Sequence, residues 1–312
     1  MRNVRISGIC IVAICVVLFV LPSVASAAYI DCDRGGTRDD RRAGPLQRAI
    51  DRAHSGDTIV VSGTCRENVT LPIGKDSITL DGRGTGIITG VDSMQPAILV
   101  RGRDVTIAGF TITGGLVGVA FRDGGSGRVD SNTIRDAAVY GVGVSVLATA
   151  VIVNNIIQNN GQAGIAVAEN ANAFIGFVTA SDPIASPNRI TDNGTQGIVV
   201  FRNSYARIVG NDISHNRANG IIVREASHAL ITDNTISGNG QHGIAVLQGS
   251  GIILGSSAGT TIFTRANSTT INNSGFGVIC QISGFADGGL GSLNGANGAE
   301  SYAEGCVPSL TP

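Results

Sequence analysis

Tyr205 and His228 stand 23 residues apart, and the same interval separates Arg202 from Glu225; Arg224 adjoins Glu225, and Glu169 lies 33 residues before Arg202. A fold that brought residues at such intervals side by side would assemble a phenol and an imidazole beside two guanidinium groups. That set suits β-elimination on a uronic-acid polymer, with Arg202 and Arg224 neutralising the uronate carboxylate while Tyr205 and His228 remove and return a proton. Glu169 and Glu225 would bind the same ligand. A plainer arrangement uses the same residues: Glu169, Arg202 and Glu225 as an alternating-sign ladder on a solvated turn, with Tyr205 stacked on His228.

What would position these side chains is a repeat. A Gly-aliphatic-x-aliphatic group begins at Gly118, Gly141, Gly164, Gly197, Gly220, Gly243 and Gly277, at intervals of 23, 23, 33, 23, 23 and 34. With each Gly as zero, other residues keep phase: Val129, Ile152, Ile175, Ile208, Ile231 and Leu254 at +11, Asn132, Asn155, Asn211 and Asn234 at +14, and Ile134, Ile157, Ile213 and Ile236 at +16. Asn160, Asn216 and Asn239 form a second Asn row at +19, and ten extra residues in the unit starting at Gly164 bring Asn188, Ile190 and Asn193 into line. Three short alternating strands per unit satisfy this pattern, whereas helical repeats are longer and avoid Gly and Asn in their interiors. The Asn rows would occupy left-handed turn positions and hydrogen-bond from coil to coil at about 4.8 Å spacing.

The pattern "GIxV…I…NxI…N" resembles the right-handed parallel β-helix repeat of the pectin-lyase-like superfamily, including the periplasmic β-helix proteins associated with copper-enzyme maturation. The resemblance implies an all-β, single-stranded right-handed parallel β-helix (a β-solenoid) of about nine or ten coils. It leaves function open, because the superfamily holds lyases, hydrolases, epimerases, adhesins and accessory proteins. Members that cut acidic glycans typically present Asp, Arg, Lys or His from neighbouring coils on one outer strand face. The matching +2 positions here are Ala120, Gly143, Ala166, Val199, Ile222 and Ala245, which carry no acid or base and argue against a familiar polygalacturonase or pectate-lyase site.

Composition agrees with a narrow, turn-rich β interior: 44 Gly in 312 residues, 14% charged residues, 4% aromatics and no Trp. Arg2, Arg5, the apolar run from Ile6 to Leu21 and the small-residue stretch "SVASAA" have the order of a secretory leader, cut after Ala27. Removing residues 1–27 takes away two Arg and no acid, which leaves 20 basic and 23 acidic residues and a formal charge of −3. Such a chain gives no reason to expect nucleic acid or membrane as partner, and it reads as a secreted or periplasmic monomer whose partner is polysaccharide.

Cys32, Cys65, Cys280 and Cys306 remain after the leader; sequence order favours Cys32 with Cys65 and Cys280 with Cys306 among three connectivities. No CxxC or CxxH spacing points to a metal, and no cofactor is implied. Calcium between the +18 residues Asp136, Asp192 and His215, beside Arg217, lacks an Asp-rich loop or nonapeptide repeat to support it. His54 and His242 receive no role.

The chain divides into a leader (1–27), an N-terminal cap with a helix (28–56), the β-helix (57–280) and a Gly-rich C-terminal cap (281–312). In the cap, Leu46, Ala49, Ile50 and Ala53 share one helical face ahead of a strand from Thr58 to Val61. The long turns at 176–187 and 255–266 either flank a groove or decorate one edge. The reading carried forward is an accessory, non-catalytic binder of an extended ligand such as a polysaccharide. Its rivals are a lyase built on Tyr205, His228, Arg202 and Arg224, and an adhesin-like rod.

Overall fold

The structure is a computed structural model that describes residues 26–34, 44–177, 185–255, 269–289, 293–295, 306 and 310–311. The leader through residue 25, residues 178–184 and 256–268 of the two long turns, and much of the Gly-rich tail lie outside the described residues.

Strands follow one another around a right-handed parallel β-helix, and each pairs in register with its counterpart one repeat later. The first sheet has nine parallel strands, from Val69–Leu71 to Val278–Gln281, the last seven of them built on the Gly-aliphatic segments. The second contains Tyr205–Val209 against His228–Thr232, and the third Asp212–Ser214 against Thr235–Ser237. The second and third merge at the two longest strands, Thr79–Gly90 and Val105–Gly114, whose mutual register shifts between Asp81 and Gly86. The first coils are therefore less regular than those that follow.

Alternation sends Ile221 and Val223, Ala229 and Ile231, and Ile236 inward, where they are fully or almost fully buried with their equivalents from other coils. Each such aliphatic side chain contributes roughly 1.5–3 kcal/mol on burial. The repeated Gly has a packing reason rather than a conformational one. A Cβ at Gly220 would run into the Ile236 side chain, the Gly243 carbonyl and the Asn239 amide, and Gly141, Gly164 and Gly197 face the same obstacles one coil apart.

The Asn rows stack as predicted but not in left-handed turns. Asn188 donates through Nδ2 to Asn211 Oδ1 at 2.9 Å, and Asn211 does the same to Asn234 at 3.0 Å; Asn193, Asn216 and Asn239 repeat this along the second row. Except at Asn188, which follows Pro187, positive φ belongs to the residue before each: Asn154, Gly210 and Asp233 in one row, Asn159, Asp192, His215 and Gly238 in the other. The left-handed residue turns the chain, and the next one points its amide inward. A third ladder runs through Ser204, Ser227 and Ser250, with Ser204 N–H donating to Ser227 Oγ at 3.0 Å and Ser227 N–H to Ser250 Oγ at 3.1 Å.

Helix Pro45–Arg52 plugs the N-terminal end with Leu46 and Ile50. Its N-cap, Gly44, has no side chain, so Glu67 reaches in instead: Leu46 N–H and Gln47 N–H donate to its two carboxylate oxygens at 3.0 Å each. Both predicted disulfides form, Cys32–Cys65 beside this plug and Cys280–Cys306 at the other end, where Cys306 joins the core.

Candidate functional site

Corner turns carry the chain from the first sheet to the second, and the residues in them have left-handed backbone: Glu169 and Asn170, Arg202 and Asn203, Glu225 and Ala226 in successive coils. Before that corner a side chain faces the first sheet's outer surface; after it, the second's. This divides the six candidate residues into two groups.

The charged group occupies the corner itself. Arg202 Nη1 lies 2.9 Å from Glu169 Oε1 and its Nε 3.7 Å from Glu225 Oε2, while Arg224 Nη1 lies 3.4 Å from Glu225 Oε1. The Arg202 and Arg224 guanidinium groups also sit 5.1 and 5.2 Å from the centre of the Phe201 ring. Each carries both an acid partner and an aromatic one, an alternating-sign ladder laid on a hydrophobic pad.

Tyr205 and His228 lie past the corner, directly opposite each other in the second sheet. They line a shallow depression with Asn170, Ala171, Asn172, Asn203, Ser204 and Ile253, and none of the four charged candidates contributes to it. Burial raises the Tyr205 phenol above its ordinary value against the pull of Arg207, so the hydroxyl stays protonated across the neutral range.

The +8 row continues in both directions. Asn172 precedes Tyr205, Gly251 follows His228, and Phe285 comes next. The His228 and Phe285 rings meet edge-on with centroids 6.3 Å apart, and a Cβ at Gly251 would collide with the Phe285 ring. Tyr205, His228 and Phe285 thus make an aromatic strip, with Tyr205 37%, Phe285 41% and neighbouring Ile253 38% exposed. Phe285 was missed by reading Tyr205 and His228 as a pair, although it stands at +8 from Gly277. Asn170, Asn172 and Asn203 stand outside the two ladder rows that spacing singles out; Asn203 donates to Asn170 Oδ1 at the rim.

The +18 residues do not converge on a cation. Asn159 separates Asp136 from Asp192 by one coil, so the two acids are about two coil spacings, roughly 10 Å, apart. Asp136 accepts from Arg135, and Asp192 from the Thr191 hydroxyl. His242 Nδ1 accepts the Phe276 N–H at 2.9 Å, its ring stacks on Phe276, and burial lowers its basicity.

Among the described residues, one group of three His, Cys, Asp or Glu has ligand atoms close enough together for a metal ion: Cys32, Cys65 and Glu67. Its sulfurs are bonded to each other and its carboxylate is engaged at the helix N-terminus. Soft metals need thiolate, thioether or imidazole donors. Beyond residue 27 those are the four Cys, Met94 and the four His. The Cys form two disulfides, Met94 is exposed, and no described His shares such a group.

Comparison with known proteins adds three findings. A family model described as periplasmic copper-binding protein (NosD) matches residues 50–263. A cell surface glycoprotein of Methanothermus fervidus is 33% identical over 99 residues, 31% of this chain and 16% of that protein, so the chain spans about a sixth of this relative's length. Among solved structures, the enzymatically active domain of tailspike protein 2 from bacteriophage CBA120 superposes with a TM-score of 0.61 at 15% identity, covering 86% of this chain and 43% of that one. Pectate lyase Pel9A gives 0.56 at 14% identity, covering 93% and 82%. Likeness at that identity is one of fold.

Proposed function

The chain belongs to the NosD family of periplasmic proteins, and from that premise we propose that it is an exported accessory protein that binds an extended glycan along the outer surface of its second sheet. The observation that carries this reading is the strip of Tyr205, His228 and Phe285 bordered by Asn170, Asn172 and Asn203. Sugar rings offer apolar faces that rest on aromatic side chains, and their hydroxyls pair with amides. Binding sites of this kind combine a mainly apolar floor with a few placed polar groups. The row advances one position per coil, every 4.8 Å or so, with Gly251 between His228 and Phe285, and so runs in the direction a linear polymer would follow. The superposable tailspike and pectate lyase support a carbohydrate as the ligand, and the two disulfides fit an oxidising compartment.

Two features rank the accessory reading above the lyase. A proton-abstracting tyrosine needs a lowered pKa, and that of Tyr205 is raised. The guanidinium groups that would neutralise a uronate are partnered across the corner by Glu169 and Glu225. Resident copper is not part of the proposal, because the donor set does not fit it.

A glycan array that includes uronic-acid polymers tests the reading. Binding is expected, weakened at least tenfold by Tyr205→Ala and by Phe285→Ala and little changed by Arg202→Ala. Absence of binding across the array overturns it, and ultraviolet absorbance of an unsaturated product would replace it with the lyase.

A further inference from the structure

Ser26 is tied to the start of strand Thr58–Ser62 by three hydrogen bonds. Its backbone N–H donates to Asp57 Oδ1 at 2.9 Å and its hydroxyl to the same oxygen at 3.1 Å, while its carbonyl accepts the Thr58 N–H at 2.9 Å. Strand Ala27–Asp31 then pairs in parallel with Thr58–Ser62, starting with Ala27 opposite Thr58. The Asp57 side chain is only 12% exposed, and its other oxygen accepts the His54 N–H at 2.8 Å. The cationic candidate facing it, His54 Nδ1, stands 3.7 Å away on a side chain that is 85% exposed, where water and salt screen the pair. Three donors converge on this carboxylate, two of them from Ser26, so a positive charge on the Ser26 nitrogen would meet an acceptor already in place.

We propose that Asp57 is the receptor for a free α-ammonium group on Ser26, created when the secretory leader is removed between Ala25 and Ser26. In that step water adds across the Ala25–Ser26 peptide bond, leaving a carboxylate on Ala25 and an ammonium on Ser26. The leader motif alone does not choose this cut. Ser23-Val24-Ala25, Ala25-Ser26-Ala27 and Ser26-Ala27-Ala28 all place small residues at the two positions that matter. The first strand chooses among them. A cut after Ala27 or Ala28 discards the acceptor of the Thr58 N–H, the Ala27–Thr58 pair and both Ser26 contacts to Asp57. A cut after Ala25 keeps them all and turns a neutral N–H donor into a charged one, in a geometry already within hydrogen-bond distance. The backbone and hydroxyl donors that surround Asp57 hold its carboxyl below the ordinary range, so it is ionised to receive the charge.

The test is to export the full-length chain from a Gram-negative host and read the N-terminus by chemical sequencing and intact mass. The expected first residue is Ser26; a chain beginning at Ala28 or Tyr29, or one that keeps its leader, overturns the proposal. The charge contact has its own readout in the α-amino pKa of the mature protein, followed by NMR after isotopic dimethylation. It should lie above the ordinary range of about 7.7–8.0 and return to it in Asp57→Asn. An ordinary value in the unsubstituted protein also overturns the proposal.

Discussion

Each ladder asparagine satisfies two coils at once. Asn211 Oδ1 accepts both the backbone N–H and the Nδ2 of Asn188, at 3.1 and 2.9 Å, while its own Nδ2 reaches Asn234 Oδ1 and the carbonyls of Ile175 and Val209. Asn211→Ala leaves two donors of Asn188 unpaired in a buried site, at roughly 1–2 kcal/mol each. A loss of about 2–4 kcal/mol in urea unfolding is expected. Asn211→Asp keeps the acceptor but buries a charge beside further carbonyls, so it should cost more than the alanine at neutral pH. A smaller cost for Asp than for Ala would mean that acceptor capacity alone holds the ladder. The phase of these residues was legible in the sequence because burial recurs with the repeat. Their backbone conformation was not: Asp192 and His215 bear the positive φ, and the residue that bends and the residue that bonds are neighbours with the same period.

At the scale of elements, the plug helix depends on a residue far from it in sequence. Its apolar face, Leu46, Ala49 and Ile50, could be read from 3.6-residue spacing. Its cap could not, because Glu67 lies 20 residues beyond Gln47 and local capping rules look only at the helix's own first turn. Glu67 meets two N–H groups and the positive end of the helix dipole, so Glu67→Ala should cost about 2–3 kcal/mol and raise amide exchange across Pro45–Arg52 first. Glu67→Gln, which retains one acceptor and loses the charge, should fall between; a loss no greater than a few tenths of a kcal/mol for Ala would show that burial of Leu46 and Ile50 alone seats the helix. The corner turn is the other element that spacing could not resolve. Arg202, Glu225 and Tyr205 share the repeat, yet two left-handed residues between Phe201 and Ser204 send them to different surfaces. Spacing therefore places Tyr205 beside His228 in the second sheet, while the two Arg and two Glu of the same set fall on the corner.

For the whole molecule, what matters is what an enclosed stack of coils can still hold. The interior is filled by aliphatic side chains and amide ladders, so any ligand must use an outer surface or an end. Copper would need several soft donors converging there. The sulfurs near the N-terminal end are paired as Cys32–Cys65, those at the other end as Cys280–Cys306, and no His joins a metal-sized cluster of His, Cys, Asp or Glu among the described residues. A lone surface imidazole binds copper weakly against a chelator. Mature protein with both disulfides intact, loaded with Cu(II) or Cu(I) and then desalted in the presence of a competing chelator, is expected to retain well under one equivalent by elemental analysis. Retention of a full equivalent, abolished by His228→Ala or His242→Ala, would reveal a coordination geometry that these side chains do not display and would move the proposed ligand from glycan to metal. The glycan reading predicts instead that the same two variants differ: His228→Ala removes part of the aromatic strip and weakens polymer binding, whereas His242→Ala, on the third-to-first-sheet turn beside Phe276, leaves it intact.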